Sequence, residues 1–81
     1  MIDLYQMIFD DTYEIILAGL ISELKEPQFS RELVQEELDS FYHLEGLNWA
    51  GRGDVKQAEI EGTILAYQAF LMRYDSGKYT T

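Results

Sequence analysis

Glu23-Leu24-Lys25-Glu26 and Glu36-Glu37-Leu38-Asp39 present two acidic pairs, each at three-residue spacing. Residues three apart share one face of a helix. Acid pairs on two facing helices can hold Mg²⁺, a hard cation that takes oxygen ligands and completes its shell with water and substrate phosphates. Three further arrangements carry potential chemistry. Glu36, Asp39 and His43 can share a helical flank, which would suit a metal ion. Gly51-Arg52-Gly53 before a helix can form an anion nest. Arg52-Gly53-Asp54 spells a tripeptide known from integrin ligands, a spelling that chance and the capping task of Asp54 explain better.

The acidic pairs resemble the acidic motifs of the all-α nucleotide pyrophosphohydrolases over less than a quarter of the chain. That resemblance implies Glu23, Glu26, Glu36 and Asp39 as Mg²⁺ ligands and a nucleotide as substrate. The leading account is different: fifteen acids in 81 residues generate such pairs readily, and a solvated acidic face explains them. The Glu36/Asp39/His43 group resembles a carboxylate-bridged di-iron site, but Ser40 stands where that site requires a glutamate. His43 has a simpler use beside the negative end of a helix dipole. No serine sits in a glycine-rich elbow, and a single histidine supports no nucleophile and base pairing. The expectation is therefore a chain with no catalytic residues, no cofactor and no metal.

The elements that position these residues are helices. Phe9, Tyr13, Ile16, Leu20 and Leu24 recur at three- and four-residue steps and define a first helix over about 3–25, with a second strip of Leu4, Ile8 and Ile15 off that face. Gly19 inside it is either a kink or a point of close contact. Pro27 disfavours helix at Glu26. Ser30 then offers an N-cap hydroxyl, and Glu32 lies well against the positive helix end. Leu33, Val34, Leu38, Phe41 and Leu44 form the apolar stripe of a second helix over about 31–45, which Gly46 ends. Residues 47–53 form a turn with Trp49 anchoring the corner. Asp54, with Gln57 reaching back, reads as the capping box of a third helix over about 54–74. The result is a single all-α domain over 1–77 with a frayed tail at 78–81. The short connection between helices one and two predicts a helical hairpin.

Helix three is apolar on two sides. Ile60, Ile64, Tyr67, Leu71 and Tyr74 fall in one sector, and Val55, Ala58, Leu65, Ala69 and Met72 lie opposite, with Gly62 and Ala66 beside them. Small residues four apart, Ala58, Gly62 and Ala66, let another backbone come close. A three-helix domain does not easily bury both sides, and an uncovered apolar patch favours a two-fold homodimer. The expected interface set is Ala58, Ile60, Gly62, Ile64, Leu65, Tyr67, Ala69, Leu71, Met72 and Tyr74.

Composition narrows the functional classes. A small domain buries only about 60% of its unfolded surface, and without cysteines it has neither disulfides nor thiolate zinc sites as reinforcement. Association with a partner is the readiest support. Net charge is −9, all of it in residues 1–45, where eleven acids meet Lys25 and Arg31; residues 46–81 balance four acids with four bases. No basic cluster exists for a phosphate backbone, so direct nucleic-acid binding is not expected. No stretch spans a bilayer and the N-terminus lacks a leader pattern, which predicts a cytoplasmic protein free of the membrane. The leading expectation is a homo-oligomeric interaction or regulatory module. The alternatives are an acidic mimic of nucleic acid that binds a basic protein and the Mg²⁺-dependent hydrolase above.

Overall fold

The computed structural model describes residues 3–46 and 53–79, with the side chain of Asp54 also outside that description. Three helices, α1 (Leu4–Glu23), α2 (Arg31–Gly46) and α3 (Asp54–Asp75), make an all-α arrangement, and among the described residues there is no strand. Asp3 caps α1, its Oδ1 accepting from the Tyr5 amide at 3.2 Å. The helix ends at Glu23, two residues short of the expected limit. The amides of Leu24, Lys25 and Glu26 bond three residues back rather than four, a tightening that closes the last turn ahead of Pro27. Ser30 Oγ accepts from the Leu33 amide at 3.3 Å and so caps α2.

The start of α3 departs from expectation. Gly53, at φ 83° and ψ 158°, occupies the N-cap position, and Asp54 is the first helical residue. The amide side chain of Gln57 donates to Glu61 at 2.7 Å. An N-cap backbone with positive φ suits glycine and strains a residue bearing Cβ, so glycine displaces aspartate from the cap. The end of α3 is a Schellman motif. Gly77, at φ 85°, donates to the Tyr74 carbonyl at 3.1 Å, and Lys78 donates to the Arg73 carbonyl at 2.9 Å. Lys78 and Tyr79 therefore do not fray: Tyr79 stacks on Phe70 with ring centroids 5.4 Å apart. The expected turn at 47–52, the role of Trp49 and the anion nest at Gly51 and Arg52 fall outside the described residues, as do 80–81.

The expected hairpin is replaced by a different topology. α1 and α2 each pack on α3, and no Cα of α1 approaches α2 within 8 Å. Phe9 and Thr12 meet Gly62, and Phe29 just beyond α1 meets Phe70 and Tyr74, so α1 and α3 run the same way. Arg31 meets Asp75 and Glu37 meets Tyr67, which sets α2 antiparallel to α3. The physical reason lies in α3. α1 takes the small-residue ridge at Gly62 and α2 the side that carries Tyr67, while Val55, Leu65 and Met72 of the opposite sector stay exposed. α1 and α2 have one main apolar face apiece, and both aim at α3.

Packing gathers Leu20, Val34, Leu38, Ile60, Ile64, Phe70 and Leu71 into one buried core, with Phe70 wholly enclosed. Phe29, Tyr74 and Tyr79 ring Phe70 at centroid distances of 5.4 to 6.1 Å, within the range of favourable aromatic pairs. Leu33, expected in the α2 stripe, is 55% exposed. Gly19 has open space around it, and the close approach belongs to Gly62. Among the described residues no helix is long and apolar enough to cross a membrane.

Candidate functional site

The four carboxylates proposed as Mg²⁺ ligands are not brought together. Glu23 is the last residue of α1, Glu26 lies in the turn beyond it, and Asp39 accepts from the Gln35 side chain at 3.1 Å along α2. Among the described residues no three His, Asp or Glu side chains converge on a metal-holding geometry, which covers the Glu36/Asp39/His43 group as well. The reason is the helical step of about 100° per residue. It turns Glu37, the neighbour of Glu36, toward α3 and leaves Glu36 and Asp39 exposed on α2.

What the fold assembles instead is a cleft of about 150 Å³ between the end of α1 and the start of α2. Glu23, Glu26 and Glu37 contribute carboxylates to its lining, Gln28 and Ser30 contribute polar groups, and Phe29, Leu33 and Val34 contribute apolar surface. Pro27 creates this shape by ending α1 and turning the chain, with the Phe29 amide bonded to the Glu26 carbonyl at 3.1 Å. Neighbouring Tyr67 on α3 donates its hydroxyl to Glu37 at 3.2 Å. Burial, followed by the negative charge of Glu37 and Glu23, pushes the Tyr67 phenol up to about 12. Two carboxylates from different elements thus act on one hydroxyl. Sequence reasoning singled out Glu23 and Glu26 but missed Glu37, Phe29 and Leu33. The available signal was Phe29 itself, an apolar residue in a short connection.

The ten expected interface residues divide by exposure. Ala58, Ile60, Gly62, Ile64 and Leu71 are buried within the chain, Tyr67, Ala69 and Tyr74 are half-buried, and Leu65 and Met72 are exposed. The small-residue ridge is occupied by α1, since Gly62 faces the Phe9 carbonyl and Thr12. Buried residues present no surface to a second copy, so that part of the set serves internal packing.

Two polar groupings complete the inventory. Arg31 binds Asp75 in two-pronged fashion, Nε to Oδ1 at 3.0 Å and Nη2 to Oδ2 at 2.7 Å. Asp75 is thereby held below the usual carboxylate range. Arg73 lies beside Tyr79 and Tyr13, which raise its guanidinium above the ordinary value. The Tyr79 hydroxyl is buried and has no hydrogen bond of regular geometry. The chain matches no protein-family model, no curated protein and no solved structure.

Proposed function

We propose that this chain is a small acidic helical module that works by associating with a second copy of itself and carries no catalytic chemistry. The observation that supports this reading is the pair Leu65 and Met72, seven residues apart on one side of α3, which stay 41% and 67% exposed after α1 and α2 have packed on α3. Single exposed apolar side chains are ordinary, but here Ala69 lies half-buried between the two and extends them into a strip. Leu4, Met7 and Ile15 on α1 are also exposed. That strip sits among Asp10, Asp11 and Glu14, whose like charges would meet their own copies across a two-fold contact. The α3 strip belongs to the half of the chain in which acids and bases balance, so a self-contact there meets less like-charge repulsion.

Sedimentation velocity at micromolar concentration tests the proposal. A dimer is expected, and Leu65→Glu with Met72→Glu should yield a folded monomer because both positions are exposed. A monomer in the unaltered chain across that range overturns the reading.

A further inference from the structure

Beyond self-association, we propose that the cleft between α1 and α2 receives an arginine side chain from a basic partner protein. Three features argue for this occupant. Size comes first: about 150 Å³ is well below the roughly 300–1,000 Å³ of ordinary small-molecule sites, so it suits one long side chain and not a nucleotide. The lining then matches an amphipathic ligand. Phe29 and Leu33 offer apolar surface for a methylene stem, and Glu23, Glu26 and Glu37 offer carboxylates for a cationic head. Charge complementarity completes the case, because among the described residues no lysine or arginine lines the cleft and none of the three glutamates is in an ion pair. Leu33 is more than half exposed, so its apolar surface is open to an incoming group. Guanidinium is favoured over ammonium because its planar fork meets carboxylates in pairs and is more weakly hydrated.

Nuclear magnetic resonance titration with argininamide, and in parallel with its uncharged counterpart citrullinamide, tests the assignment. Argininamide is expected to give saturable shifts centred on Phe29, Leu33 and Val34, which weaken with added salt, and citrullinamide none. Glu23→Gln with Glu26→Gln should weaken binding about fivefold. Asp10→Asn with Asp11→Asn removes the same charge elsewhere and should leave it unchanged. Equal weakening by both pairs, equal shifts with citrullinamide, or shifts spread over the acidic surface would each overturn the proposal. Oligomeric state measured on the same samples separates this outcome from self-association, since a monomer can still fill the cleft.

Discussion

Arg31 and Asp75 each stand at the disfavoured end of their own helix and at the favoured end of the other's. Arg31 is the first residue of α2, where the dipole is positive, and Asp75 is the last of α3, where it is negative. The antiparallel pairing puts the guanidinium beside the C-terminus of α3 and the carboxylate beside the N-terminus of α2, joined at 2.7 Å. Two local penalties become one favourable contact that exists only when the helices are docked.

That contact has a pH signature. Arg31 holds the folded-state pKa of Asp75 below its ordinary value, so its contribution is present above the unfolded aspartate range and is lost as pH falls through the lowered folded value. Carboxyl-carbon resonance titration should find Asp75 ionising below the usual range, and Arg31→Gln should return it there. An unchanged Asp75 titration in Arg31→Gln would contradict the pairing.

Gly62 and Gly19 should respond oppositely to alanine. A Cβ on Gly62 would lie 2.8 Å from the Phe9 carbonyl oxygen and 3.2 Å from Thr12 Cβ, and backbone cannot swing aside as a side-chain tip can. Gly62→Ala forces α1 outward and should cost about 1–3 kcal/mol, outweighing the helix-propensity gain. Gly19→Ala meets open space on an exposed helical site and should stabilise by about 0.5–1 kcal/mol. Chemical denaturation of the two variants checks both signs.

Alkaline conditions should act through Tyr67. Its phenol is raised from 10.0 to about 12 in the folded chain, so its contribution is complete below the unfolded value and declines as pH rises through the window between the two. Ultraviolet titration of phenolate absorbance should show a late-ionising component that Tyr67→Phe removes. In that variant the alkaline loss of stability should be smaller.

Phe70 is the largest wholly buried side chain among the described residues. Phe70→Ala should cost about 3–5 kcal/mol, and a domain of this length has a total stability of the same order, roughly 0.05–0.15 kcal/mol per residue. Extensive unfolding by circular dichroism is expected, with Phe70→Leu retaining most of the helix signal.

The helical segments were legible because periodicity, Pro27 and the Ser30 cap are local signals. The topology was not. Two apolar sides on α3 declare that it has two neighbours, but a pattern along one helix cannot state whether a neighbour comes from the same chain. Ala58, Gly62 and Ala66 therefore looked like a dimer surface and are instead the bed of α1. The short 24–30 connection suggested that α1 and α2 touch, whereas their apolar faces were both complementary to the helix still to come. Glu37 went unnoticed in the cleft because Glu36 and Asp39 fitted a familiar spacing. Only the rotation of α2 against α3 decides which glutamate faces inward.

The absence of backbone contact between α1 and α2 has a consequence for synthesis. As residues 3–46 leave the ribosome, neither helix has its docking surface, and both apolar stripes meet water or a chaperone. α3 is the last of the three helices to emerge and the one on which both others depend. Folding of this chain is thus deferred to a late event, and a translational pause before Asp54 would prolong the interval in which it is vulnerable to proteolysis.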